Sequence, residues 1–90
     1  MKMIDRVQVP KEVVARQVGE ETVMLDLAKG AYFGLDPVGA RMWQLLEEGK
    51  TLAEVCDAMV EEYDGTREEI ERDLLALVDS LEKHRLVAPA

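Results

Sequence analysis

The apolar positions of this chain change their period at Asp36-Pro37. Before that point they alternate, and after it they recur every three or four residues. Residues 11–18 (KEVVARQV) are rich enough in β-branched side chains for a strand, although their alternation is imperfect. Gly19-Glu20-Glu21 supplies a turn. From Thr22 the alternation is regular, with Val23, Leu25 and Leu27 pointing one way and Met24, Asp26 and Ala28 the other. Lys29-Gly30 reverses the chain, and Ala31-Tyr32-Phe33-Gly34-Leu35 returns as a third strand. Phe33 and Leu35 are expected to join Val23, Leu25 and Leu27 on the buried side, leaving Tyr32 and Gly34 opposite. The simplest product is a three-stranded antiparallel meander over about residues 11–36.

The remainder reads as three helices. Asp36 is a good N-cap and Pro37 sits at the first helical position, where its missing N–H costs nothing. Val38, Met42, Trp43, Leu45 and Leu46 form the apolar face of a helix over about residues 37–48, stopped by Gly49. Thr51-Leu-Ala-Glu54 is a capping box opening a second helix, about 52–63, with Leu52, Val55, Cys56 and Met59 inward. Thr66-Arg-Glu-Glu69 reads as another, opening a third helix over about 67–84 with the stripe Ile70, Leu74, Leu77, Val78 and Leu81. Leu86-Val87 then closes the chain as a short extended tail. The 90 residues form one α+β domain, a small sheet followed by three helices in the layout of a winged helix-turn-helix.

That layout suggests DNA, and the charge argues against it. The formal net charge is −8. Residues 51–90 hold 11 acids against 4 bases, whereas residues 1–50 are nearly balanced. The helix that would read bases carries Glu68, Glu69, Glu71, Asp73, Asp79 and Glu82, and has neither Asn nor Gln. An acidic half repels phosphate backbones and anionic membranes and attracts basic partners. The lone Cys56 fits a reducing compartment, and no apolar run approaches the roughly 20 residues that span a bilayer. The N-terminus lacks a signal-peptide core, so a cytoplasmic protein is expected.

Catalytic chemistry is missing from the pattern. His84 lies at the end of the third helix with no partner signature, and Cys56 sits on an inward stripe. Phosphate-binding and dinucleotide glycine motifs are absent, as is any His/Cys metal spacing. Neither an enzyme, a cofactor nor a metal site is expected. The third strand stands out instead, because Ala31, Tyr32, Phe33, Gly34 and Leu35 carry no charge and no proline to blunt an exposed edge. Such an edge either accepts an extended peptide by strand addition, or is covered by the N-terminal segment or the third helix. On that helix Leu75 lies near Glu71, Asp79 and Glu82, while Asp73, Ala76 and Ser80 occupy the other flank. Either flank could face the strand.

The run Leu25-Asp26-Leu27, Gly30-Ala31-Tyr32-Phe33-Gly34-Leu35-Asp36-Pro37-Val38-Gly39-Ala40, Trp43, Leu46, Gly49 resembles the PqqD-like family. Thr51-Leu52, Glu54-Val55, Asp73-Leu74, Leu77 and Leu81 fit the same pattern, so the likeness covers roughly residues 11–88. These are the RiPP recognition elements, small domains that bind the leaders of ribosomally made, modified peptides. Tyr-Phe-Gly-Leu-Asp-Pro-Val-Gly with Trp43 looks most like the recognition protein of lasso-peptide biosynthesis. The resemblance implies that a basic, extended leader lies antiparallel along the third strand, in a cleft completed by the third helix. It further implies a partner leader peptidase, with a cyclase in the same pathway, and no chemistry in the recognition protein. The alternative is a PqqD-type chaperone serving a radical-SAM enzyme; a winged-helix DNA-binding protein is the remaining reading. Carried over, the leader-binding residues are Tyr32, Phe33, Gly34 and Leu35, with Asp73, Leu74, Ala76, Leu77 and Ser80, or the neighbouring flank with Leu75 and Asp79.

Overall fold

Two glycines with positive φ set the sheet. Gly19 (φ 64°) and Gly30 (φ 70°) sit in the two hairpin turns, a conformation that costs other residues about 1–2 kcal/mol. The computed structural model describes residues 1–90. A two-residue strand, β1 (Val7–Gln8), precedes β2 (Val13–Val18), β3 (Glu21–Asp26) and β4 (Ala31–Leu35). The last three form an antiparallel sheet in the order β2-β3-β4.

The register overturns one expectation. Met24 pairs with Phe33 and Thr22 with Leu35, so Phe33 and Leu35 share a face with Met24, which is fully buried. Val23 and Leu25 lie with Tyr32 and Gly34 on the outer face, and Leu27 is exposed. The cause is loop length. Four residues separate the paired Asp26 and Ala31, and an even loop joins positions of opposite parity, flipping the face. Asp26 is buried for the same reason, and its Oδ1 accepts from the N–H groups of Ala28 (3.0 Å) and Lys29 (3.2 Å), holding the turn.

Three helices cover the inner face: α1 (Pro37–Glu47), α2 (Leu52–Glu62) and α3 (Arg67–Lys83). Asp36 caps α1 by accepting from Gly39 N–H at 2.7 Å. The core joins Met24 to Trp43 and Leu46 of α1, Leu52, Val55, Cys56 and Met59 of α2, and Leu74, Val78 and Leu81 of α3. Two members of the expected stripes fall outside it. Val38 is 40% exposed and Leu77 is only half-buried. Thr51 and Glu54 form the full reciprocal capping box. Thr66 accepts from Glu69 N–H, but the return bond from the Glu69 carboxylate is not made.

Both chain ends are fastened away from β4. A short strand β5 (Ala88–Pro89) pairs antiparallel with β1, adding a two-stranded ribbon to the expected three-stranded sheet. The carbonyls of Asp5 and Met3 accept from Leu52 N–H (3.0 Å) and Ala53 N–H (2.9 Å), satisfying the first donors of α2. Between α3 and β5, Leu86 N–H reaches the Leu81 carbonyl (2.8 Å) and Arg85 N–H that of Glu82 (3.0 Å), a Schellman closure. It places Leu86 and Val87 in the core and holds Arg85 at φ 58°.

The left-handed Arg85 costs about 1–2 kcal/mol, and glycine there would add about 0.4–1 kcal/mol of unfolded-state entropy. Arg85→Gly is therefore expected to stabilise the protein by about 0.5 kcal/mol, read in urea as a raised midpoint at unchanged slope, while Arg85→Ala gains nothing comparable. A second check concerns acid. The Thr51 N–H on Glu54, and the two-pronged Arg41 guanidinium on Glu62 (2.7 and 2.8 Å), hold these carboxyls below the usual glutamate range. Because the folded values are depressed, their contribution is present above the unfolded glutamate range and lost as pH falls through the lowered values. A carboxyl-detected NMR titration is expected to show both titrating below a free glutamate, with Glu62 returning to normal in Arg41→Met.

Candidate functional site

Which backbone groups β4 offers is fixed two strands away. Leu27 N–H donates to the Glu12 carbonyl (2.8 Å), continuing the β2–β3 register as a hydrogen-bonded pair. Antiparallel pairs alternate, so Val23 and Leu25 turn their peptide groups to β2, and Thr22, Met24 and Asp26 turn theirs to β4. On β4 the partners Ala31, Phe33 and Leu35 are thereby satisfied. Tyr32 and Gly34 direct their N–H and C=O groups to the open edge. No strand of this chain pairs with that edge.

The edge borders a groove of about 560 Å³ lined by Phe33, Gly34, Leu35 and Asp36 from β4 and the α1 cap. Val38, Gly39 and Met42 of α1 form its end, and Asp73 and Leu77 of α3 its far wall. Its floor is apolar, and its titratable lining groups are the acids Asp36 and Asp73. Gly39 is needed for close packing: a Cβ there would meet Asp36 Oδ1, the atom that caps α1, at 3.2 Å. Gly34 has open space around the position of a Cβ, so no contact within the fold requires a glycine.

One flank of α3 borders the groove. Asp73 and Leu77 line the groove, and Ala76 and Ser80 lie on the same flank at roughly 100° per residue. Leu75, 37% exposed, and Asp79, bridged to Lys83 at 3.2 Å, lie on the other flank and do not meet β4's groove. Leu74 is fully buried and belongs to the core. Tyr32 is 76% exposed on the outer sheet face, so its backbone, not its ring, adjoins the groove edge. The contribution of α1 was missed in the sequence. Its signal was Val38, an apolar residue in the first turn of a helix that starts right after the edge strand.

Neither the cysteine nor the histidine of this chain lines the groove. Cys56 is sealed in the core, and burial pushes its thiol up. His84 caps α3, where its Nδ1–H donates to the Ser80 carbonyl (2.7 Å) and its ring stands edge-on to Phe33 at 5.1 Å between centroids. No group of three or more His, Cys, Asp or Glu side chains is placed to hold a metal ion. No helix is long and apolar enough to cross a membrane.

Residues 21–87 match the sequence profile of the family described as coenzyme PQQ synthesis protein D (PqqD). Two solved structures superpose closely. One is TbiB1 in complex with the TbiA(beta) leader peptide, 42% identical, with a TM-score of 0.82 over 89% of this chain and 93% of that one. The other is a lasso peptide synthetase B1 complexed with the leader peptide, 31% identical, with a TM-score of 0.85 over 93% of this chain and 99% of that one. Comparison with curated proteins gives no match.

The sealed thiol gives a direct check on the packing behind the groove. Cys56 is expected to resist iodoacetamide at pH 8 in the folded protein and to react fully in urea; fast labelling of the native state would contradict the burial.

Proposed function

The chain belongs to the PqqD family, and from that premise we propose that it binds the leader segment of a ribosomally made precursor, that of a lasso peptide, and delivers it to a partner leader peptidase. The observation that carries this reading is the uncharged, unpaired edge of β4 standing beside an acidic, apolar-floored groove. The leader adds a fourth strand there, its backbone meeting the N–H and C=O groups of Tyr32 and Gly34. Phe33, Leu35 and Leu77 receive its inward side chains, and Asp73, with Ala76 and Ser80 on the same flank, borders it on α3. The chain supplies no bond-breaking group, and cleavage and ring closure belong to partner enzymes. The match to two leader-bound structures favours a lasso pathway. The family description names coenzyme PQQ synthesis, which favours as second reading a PqqD-type chaperone, whose partner the sequence resemblance implies to be a radical-SAM enzyme.

Magnitudes divide the labour. Four edge hydrogen bonds at about 0.5–1.5 kcal/mol net each give about 2–6 kcal/mol, which reaches only the lower end of the cost of association, about 4–15 kcal/mol. The backbone therefore sets register and direction, while side chains in the groove supply the surplus and the selectivity.

The test is fluorescence polarisation with the labelled leader encoded beside the gene. Binding at micromolar concentration or tighter is expected, weakened but not abolished by salt, since charge is screened and backbone pairing is not. Gly34→Pro is expected to leave the fold intact, because the N–H it removes faces the open edge, and to weaken binding at least about tenfold. Full affinity in a folded Gly34→Pro variant would sink strand addition. Copurification with a peptidase or with a radical-SAM enzyme separates the two pathways.

A further inference from the structure

The groove does not end where β4 ends. Val38, Met42 and Asp73 line it and also line a second hollow of about 170 Å³, so the two adjoin across a shared wall. The second hollow lies where α1 meets the α2–α3 junction, walled by Met59, Tyr63, Gly65 and Ile70. At roughly 30 Å³ per water molecule it has room for about six waters, or one long side chain. Its charged lining is Asp64, Glu69 and Asp73, with no Lys, Arg or His.

Those carboxylates are not spent inside the protein. Asp64 and Glu69 make no salt bridge, and Asp73 has only the exposed Arg72, with Nε 3.9 Å away. Glu69 occupies the third position after Thr66, where a capping box would use it, yet it does not return the bond that Glu54 returns to Thr51. Its carboxylate stays at the rim of the hollow. An apolar tube with an anionic mouth fits a side chain that is a long aliphatic stem ending in a cation.

Chain direction says which part of a ligand reaches it. A leader that pairs antiparallel to β4, the direction the family resemblance implies, runs from the Leu35 end towards Ala31. The second hollow lies beyond the Leu35 end, past Val38. We propose that this hollow takes a lysine or arginine of the leader that precedes the β4-paired stretch by about two to four residues at ~3.3 Å each. This inference rests on the leader-binding reading and names the basic anchor that reading leaves unplaced.

The experiment uses the full chain, fluorescein-labelled leader and its nested N-terminal truncations. Asp64 and Glu69 are exposed, and Asp64→Lys/Glu69→Lys is checked for folding by circular dichroism. The double variant is expected to bind intact leader at least about tenfold more weakly. Removing the leader's basic residue weakens binding to the native protein by a similar factor, and the double variant does not distinguish the shortened leader from the intact one. A leader with that basic residue changed to Glu recovers affinity for the double variant. Asp79→Lys/Glu82→Lys, on the far flank of α3, controls for overall charge. If it weakens binding as much, or if a truncation lacking every basic residue before the β-paired stretch binds native protein at full affinity, the second compartment is idle and the inference is overturned. In both outcomes leader binding itself survives. Failure of the intact leader to bind native protein removes both.

Discussion

Helix α3 packs on α2 and α1 and meets β4 only near its C-terminal cap, where His84 stands against Phe33, and the groove lies in the gap that this leaves. Its buried stripe, Leu74, Val78 and Leu81, enters the core, with each side chain contributing about 1.5–3 kcal/mol. Its first turn is tied to α2 through Arg67 and Asp57. Its last turn is closed by the Leu86–Leu81 bond, and the chain beyond it is held in the ribbon with β1. The helix is therefore fixed at both ends and along one side without contributing a hydrogen bond to β4. A sheet edge that could have been covered is left standing beside a rigid wall.

The distribution of charge follows the same division. Of the acids at the groove and its second compartment, Asp36 caps α1, Glu69 sits in the first turn of α3, Asp73 stands on the wall of α3 and Asp64 lies in the α2–α3 loop. Acids at helix starts complement the helix dipole wherever they occur. Asp36 and Glu69 are in such positions, so these two residues both stabilise a helix start and add to the negative charge beside the groove. Elsewhere opposite charges are used up locally, as in Arg41 with Glu62 and Lys83 with Asp79. The negative sign that makes α3 unfit to follow a phosphate backbone thus also gives the groove beside it an anionic border.

Most of the architecture was legible from local pattern. Asp36-Pro37, Thr51 with Glu54, and Gly49 announce their helix boundaries because capping chemistry is local. The face of β3 is misread when alternation is followed within each strand alone, because any even turn, whether the two residues Lys29-Gly30 or the four observed, sets odd residues of β4 opposite even residues of β3. The β1–β5 ribbon escaped notice because its two-residue strands carry no period and meet only after the whole chain has folded. At the groove, strand β4 stood out through its missing charges, whereas the choice between the Asp73 and Leu75 flanks needed the rotation of α3 about its axis. The α1 wall was hidden by an ordinary assumption, that Val38 belongs to the core like the apolar residues after it.

The ribbon has an architectural consequence of its own. Gln8 pairs with Ala88, and Ala90 N–H reaches the Arg6 carbonyl at 2.9 Å, so the strands that lead into and out of the fold run side by side. They do so in a sheet separate from the one that carries the open edge. A unit whose two ends emerge together can be spliced into a single loop of a larger protein as readily as it can stand alone, without stretching the host or blocking the groove. The geometry makes this fold a portable module, in which the open edge of β4 stays clear of both chain ends.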